Sequence, residues 1–195
     1  MQTTGKIIAI CGAKRSGKDT IAKYISSKYS FNHIKISHEL KQICKILFNF
    51  SDDQLETGIK DVVDERWSST PRKLMQFVGT DIMQYKINEV LPYIRKNFWI
   101  NKTIQHMNVN MNVNMNANMN NYVISDLRFS HEYEALKSTY DDALIIIKVR
   151  KNTSYANDNH ISEKEWLDIP ENYEVHNNVS IADLHKQIDN IMKSL

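Results

Sequence analysis

One stretch near the start of the chain limits its folds more than any other. Lys6-Ile-Ile-Ala-Ile-Cys11 is apolar without alternation, and Gly12-Ala-Lys-Arg-Ser-Gly17-Lys18-Asp19-Thr20 comes directly after it. Unbroken apolar character suits a strand buried on both faces of a parallel sheet. From Lys18 the period changes, with Ile21, Ala22, Ile25 and Tyr29 at helical spacing. Strand, glycine-bracketed turn and helix start are therefore in register. Gly12 and Gly17 let the backbone between them curl so that successive N–H groups converge on an anion. The first helical turn adds the positive end of its dipole. Lys18 then stands where its ammonium reaches the outer phosphates of a nucleoside triphosphate. Gly12, Ala13, Lys14, Ser16, Gly17, Lys18, Asp19 and Thr20 are the expected contacts.

The rest of the chain continues the alternation. His33 to Ser37 reads as a short extended piece, and Tyr122-Val-Ile-Ser-Asp126 and Ala143-Leu-Ile-Ile-Ile-Lys-Val149 read as buried strands. Leu40, Ile43, Cys44, Leu47 and Phe48 form one apolar helical stripe. Thr70-Pro71 reads as an N-cap with proline at the first helical position, opening a helix to Tyr85, and the helical region continues over Glu89 to Phe98. Leu184, Ile188, Ile191 and Met192 give a closing amphipathic helix. This order predicts an α/β P-loop NTPase fold, a central parallel sheet with helices on both faces. Residues 1–37 and 122–195 are the expected core of a single domain over 1–195. Residues 38–121 interrupt the alternation as a mainly helical substrate-binding insert, and 150–166 form a polar lid. Residues 107–121 are a four-residue Asn/Met repeat. Its Met stripe suits a helix face and its alternation a strand, but a surface loop grown by repeat expansion is the preferred reading.

Composition narrows the classes of function. The 195 residues, 42% hydrophobic and 25% charged, suffice for one globular domain with a core. A net charge of +2 is too mild to imply nucleic acid and is compatible with small anionic substrates. No run approaches the roughly 18 apolar residues of a membrane span. Met1 to Gly5 lacks the pattern of a secretion signal, and Cys11 and Cys44 sit in apolar segments without metal-ligand spacing. A cytoplasmic protein without membrane partner is expected, and a homodimer is compatible with the sequence.

One position departs from the usual loop. The hydroxyl residue that comes after Lys and ligates Mg²⁺ is replaced by Asp19, and Thr20 comes next. Either the Asp19 carboxylate acts on the metal through water, or Thr20 covers phosphate and metal together. Asp126, at a strand end, reads equally as a second acid near the metal or as a turn acid. A GTP switch would need Asn-Lys-x-Asp, and the only near match, Asn101-Lys-Thr-Ile104, lacks the acid. Motors need more chain. A kinase for a phosphorylated small molecule fits best.

Further motifs carry a resemblance. Gly17-Lys-Asp-Thr20, Ser37-His-Glu-Leu-Lys41, Trp67-Ser-Ser-Thr-Pro-Arg72 with Gln76, Gly79, Thr80 and Asp81, Asp126-Leu-Arg-Phe129 with Glu132, and His160-Ile-Ser-Glu163 occur in this order. The set resembles the deoxynucleoside monophosphate kinases of phage and viral type, which are related to phosphomevalonate kinase. The resemblance covers nearly the whole chain apart from the Asn/Met repeat. It implies ATP as phosphoryl donor, Mg²⁺ organised by Asp19, Thr20 and Asp126, and a small nucleotide substrate. Arg72 and Arg128 would hold the acceptor phosphate, with Lys41 or Arg66 as further contacts and Ser37 and Asp126 beside them. Trp67 and Phe129 would flank the base, and Gln76 and Asp81 would read base edges or sugar hydroxyls. Lys18, Arg128 and Arg150 would stabilise charge during transfer. Asn178, beside Asn177, stands where related kinases hold adenine. The rival readings are a kinase for another phosphorylated metabolite, phosphomevalonate or dephospho-coenzyme A in type, and a regulatory module that binds ATP without transfer.

Overall fold

The computed structural model describes residues 5–113, 120–151 and 164–195. In chain order the elements are β1 (Ile7–Gly12), α1 (Lys18–Tyr29), β2 (Asn32–Ile34), α2 (His38–Phe48), α3 (Asp52–Glu56), α4 (Pro71–Gln76), α5 (Phe98–Val113), β3 (Tyr122–Leu127), α6 (Ser130–Tyr140), β4 (Leu144–Arg150), β5 (Tyr173–His176) and α7 (Ile181–Ser194). They form two compact units, Met1–Ile36 with Thr103–Leu195, and Ser37–Lys102.

The first unit is built on β1, which lies in the middle of a sheet ordered β2-β3-β1-β4-β5 with every pairing parallel. On one face Ile8 and Ile10 pack with Ile21 and Ile25 of α1 and Leu184 and Ile188 of α7. Ile7 and Ala9 alternate with them and are equally buried, as a strand covered on both faces requires. Asp189 of α7 accepts hydrogen bonds from Tyr24 Oη (2.8 Å), Tyr29 Oη (2.7 Å) and Lys28 Nζ (2.8 Å) of α1, which joins the two helices. Near its carboxyl end β3 slips against β1. Ala9 pairs with Ile124 but Cys11 with Leu127, so Ser125 and Asp126 together stand opposite Ile10. A bulge of this kind re-aims side chains.

The Asn/Met tract is in part helix rather than loop. Helix α5 runs to Val113, with Met107 buried and Tyr140 Oη donating to Asn108 Oδ1 at 2.9 Å. Tertiary contacts of this sort supply what a polar sequence cannot supply alone. Residues 114–119 lie outside the described part.

In the second unit Cys44, Phe50, Leu55 and Val78 form a small core with Leu40 and Leu74 against it. Thr70 Oγ1 caps α4 by accepting the Lys73 N–H at 3.2 Å, with Pro71 at the first position. The helix then widens into i→i+5 bonding over Phe77–Tyr85, a helix type that apolar periodicity does not announce. There Gly79 lies so close to Leu40 that a Cβ would stand 2.6 Å from Cδ2, and its carbonyl accepts from Trp99 Nε1 at 2.9 Å. Instead of continuing as helix, the chain turns over 90–97, where Pro92 withdraws an N–H and Arg95 takes a left-handed φ of 50°.

Glu132 lies buried in the first turn of α6, where Oε2 accepts the N–H groups of Arg128 (2.9 Å) and Phe129 (3.1 Å). Burial pushes its carboxyl up to about 8, although the two donors favour the charged form. The folded chain therefore holds this proton more tightly than the unfolded chain, whose carboxyl keeps its ordinary value of 4.5. Stability falls as pH rises from 4.5 to about 8, by up to about 1.4 kcal/mol per pH unit from this group. Glu132→Gln, whose amide oxygen still accepts both bonds, removes that slope. Denaturant melts of both proteins across this range check it, and an identical slope in the variant places the titration elsewhere.

Candidate active site

The backbone between β1 and α1 has positive φ at Gly12 (149°), Arg15 (61°) and Gly17 (102°). A Cβ at Gly12 would stand 2.6 Å from Val149 O, and one at Gly17 would stand 2.3 Å from Asn177 Nδ2. Only glycine fits both positions. Arg15 holds a left-handed conformation without that freedom, a strain of about 1–2 kcal/mol that gathers where backbone is shaped for a ligand. Lys18 Nζ lies across the loop, donating to Gly12 O and Ala13 O at 2.7 Å each. Asn177 ties the loop down: its Nδ2 donates to Ser16 O at 2.7 Å while its N–H donates to Arg150 O at 2.8 Å.

Beside the loop lies a cleft of about 720 Å³. Lys18, Thr20, Lys151, Asn178, Val179 and Ile181 are among the residues that line it. A lining that combines cations with apolar side chains suits a nucleotide. Ser16, also in its wall, has a buried Oγ with no hydrogen-bond partner among the described residues. An orphaned hydroxyl carries a penalty of about 1–3 kcal/mol, which a phosphate oxygen would relieve. Of the loop residues named from the sequence, Ser16, Gly17, Lys18, Asp19 and Thr20 line this cleft together with Asn178, whereas Gly12, Ala13 and Lys14 are not part of its lining. Arg15, Lys151 and Ile181 were missed, since only the return of β4 and α7 to the loop brings the last two there.

Asp19 and Thr20 are exposed in the first turn of α1. Burial alone would raise the Asp19 carboxyl, but a hydrogen bond from Ser125 Oγ at 2.7 Å and the ammonium of Lys35 at 3.2 Å hold it below its ordinary value. It is therefore an anion at neutral pH. Among the described residues no group of three or more His, Cys, Asp or Glu side chains gathers for a metal. A cation here would draw most of its ligands from phosphate and water, which suits Mg²⁺. Asp126 is placed differently, its Oδ1 accepting the Ile36 N–H at 2.8 Å beyond the end of β2. Both thiols are buried and pushed up to about 11 by burial, which fits unreactive side chains.

Around the lid position, Arg150 is held by Glu174 Oε2 at 3.0 Å with its guanidinium 5.7 Å from the Trp166 ring. The buried Lys148 binds Glu171 at 2.7 Å and Leu167 O at 3.1 Å. His160, Ser162, Glu163 and most of the expected lid lie outside the described residues. Phe129 is buried and stacks on His131, with ring centroids 5.1 Å apart. Arg128 is half-buried, its backbone fixed by Glu132.

In the second unit the candidate cations have carboxylate partners. Lys41 pairs with Glu56 at 2.7 Å, and Arg72 with Asp61 at 2.5 Å. Arg66 sets its fork on Asp64 at 2.9 and 2.5 Å and also reaches Asn49 O at 3.2 Å. Arg66 is itself 48% exposed and Arg72 13%, but the acid of the Arg66 pair, Asp64, is buried and also accepts from Gln54 Nε2, whereas Asp61 is 34% exposed, so Asp64 is the less easily parted from its cation. Trp67 donates from Nε1 to Phe48 O at 3.0 Å and keeps 44% of its surface exposed. Ser37 precedes α2, half-buried Gln76 ends α4, and Asp81 is exposed in the widened helix. No helix among the described residues is long and apolar enough to cross a membrane.

A family model described as "Deoxynucleotide monophosphate kinase" matches residues 6–60 and 47–188. A "Putative deoxynucleotide monophosphate kinase" of Acanthamoeba polyphaga mimivirus is 32% identical over 193 residues, covering 93% of each chain. Solved structures with a similar course include a dephospho-CoA kinase from Campylobacter jejuni, at 12% identity, TM-score 0.48 and 98% coverage of both chains. A gluconokinase from Sinorhizobium meliloti 1021 shows 10% identity and TM-score 0.44, with 100% of this chain and 99% of that one covered. Likenesses that distant add nothing to the assignment. The sequence matches span the chain and agree with the loop geometry at its start, so this is a phosphotransferase of the nucleotide-kinase type, and the chain belongs to the deoxynucleotide monophosphate kinase family.

Proposed function

We propose that the protein transfers the γ-phosphoryl group of ATP to a nucleoside or deoxynucleoside monophosphate, giving the diphosphate and ADP. The observation that carries this reading is the strained loop with its orphaned Ser16 hydroxyl beside a nucleotide-sized cleft. An acceptor phosphate oxygen attacks the γ-phosphorus while the bond to the bridging oxygen breaks, and the electron pair leaves with ADP. The acceptor is already an anion and needs no strong base. Lys18 leaves the Gly12 and Ala13 carbonyls to track charge onto the outer phosphates, while the loop N–H groups hold the inner ones. Mg²⁺ would offset the charge of the phosphates when bound, and Asp19 and Thr20 are the residues that would hold it. Asp126 holds the segment after β2. Arg128 meets the transferred group, and Arg150 joins it only by leaving Glu174.

The test is ADP release with ATP, Mg²⁺ and a panel of dNMPs and NMPs. Turnover is expected with at least one deoxynucleoside monophosphate and is abolished in Lys18→Ala. A protein that binds ATP but turns over no monophosphate sinks the nucleotide-kinase reading and turns the search to other phosphorylated metabolites.

The acids they pair with separate Arg66 from Arg72. Arg72, whose partner is partly exposed, is the acceptor-phosphate ligand, and Arg66 is structural. Arg72→Ala raises KM for the monophosphate about 10-fold or more, as loss of a charged bidentate contact does, and leaves KM for ATP unchanged. Arg66→Ala instead lowers the melting temperature, because Asp64 stays behind unpaired. Steady-state kinetics with thermal melts check both, and equal kinetic effects from the two variants would refute the division.

A further inference from the structure

A hydrogen-bond chain beside the phosphate loop crosses three elements. Ser125 Oγ in the β3 bulge donates to Asp19 Oδ1 of α1 at 2.7 Å and lies 2.9 Å from Nε2 of His33 in β2. A hydroxyl has one proton. While that proton points at Asp19, the other contact is a bond received from His33 Nε2–H, which assigns the tautomer of the ring. Burial and the nearby Lys35 ammonium hold His33 below its ordinary value, so the ring is neutral. Lys35 Nζ also approaches Asp19 Oδ1, at 3.2 Å. One carboxylate oxygen is thus held from two sides.

In the common form of this loop a Ser or Thr after the Lys works with an acid on a neighbouring strand. Here the residue types are exchanged. The acid stands on the helix at Asp19 and the hydroxyl on the strand at Ser125, and the two are still bonded to each other. The adjoining acid, Asp126, is turned to the Ile36 N–H instead. Ser125 is buried in the sheet, so a side chain able to reach out to Asp19 there needs a local reason, and the bulge supplies it. Resting on the phosphotransfer reading above, we propose that Ser125 is a positioning residue: held by His33, it presents the Asp19 carboxylate to the divalent cation of the bound nucleotide. The hydroxyl–carboxylate pair has changed sides.

The experiment needs no turnover. Binding of a fluorescent ADP analogue is titrated in Mg²⁺ and in EDTA, and the ratio of the two dissociation constants is the readout. In Ser125→Ala the ratio falls about 10-fold or more, as expected when a metal-binding carboxylate loses its supporting hydrogen bond, while affinity in EDTA is unchanged. Ser125→Thr keeps the ratio, and His33→Gln, whose amide can donate to the hydroxyl, keeps more of it than His33→Ala. The double variant Asp19→Ser with Ser125→Asp regains what Asp19→Ser alone loses. An unchanged ratio in Ser125→Ala, or equal losses in Mg²⁺ and EDTA, overturns the proposal. A double variant no better than Asp19→Ser overturns it as well. If Ser125→Ala does not fold, the His33 pair decides on the same readout. Wild-type protein that does not bind the analogue sinks the phosphotransfer reading itself, an outcome visible before any variant is made.

Discussion

The passage of the backbone from β1 into α1 governs the rest of this molecule. Two points of that turn admit no side chain, because Val149 O crowds Gly12 and Asn177 Nδ2 crowds Gly17. Both neighbours come from far along the chain, the end of β4 and the segment after β5. The curl that collects N–H groups is therefore moulded from outside by the finished sheet, and a free peptide of this sequence would have no reason to hold it. Parallel pairing matters for the same reason: it brings the carboxyl ends of β1, β3 and β4 to one edge, where their loops can meet.

Charge is managed locally in both units. In the second unit Lys41, Arg66 and Arg72 each stand against an acid. Each of these charges is therefore offset where it stands. In the first unit Arg150 is treated likewise by Glu174.

Much of the fold was legible because its signals are local. The unbroken apolar runs of β1, β3 and β4, the glycine-bracketed turn and the Thr70-Pro71 cap each need only neighbours in sequence to be understood. The features that escaped depend on distant partners or on weak periods. β5 is an edge strand of four residues in which only Val175 is buried. The wide helix over Phe77–Tyr85 repeats differently from an α-helix. The grouping of Ser16, Gly17, Lys18, Asp19 and Thr20 at one cleft was legible, whereas the tie through Asn177 and the place of Lys151 were not. Asp126 shows the limit most clearly. Its position at a strand end reads equally as a metal acid or a turn acid, and what composition hides is a one-residue slip in register beside which its Oδ1 accepts a backbone N–H.

The Asn/Met tract has a consequence for how the chain can vary over time. Its first turns in α5 are anchored by Met107 and by the bond from Tyr140 to Asn108. Each repeat unit is four residues, and four residues turn an α-helix by about 400°, roughly 40° past one full revolution. Loss or duplication of one unit directly after Asn108 would therefore leave the anchored turn untouched and shift the phase of the end of α5, at Val113, by only that remainder. Replication slippage, which adds or removes whole units, would then change the length of this protein while leaving in place the two contacts that hold the start of the tract.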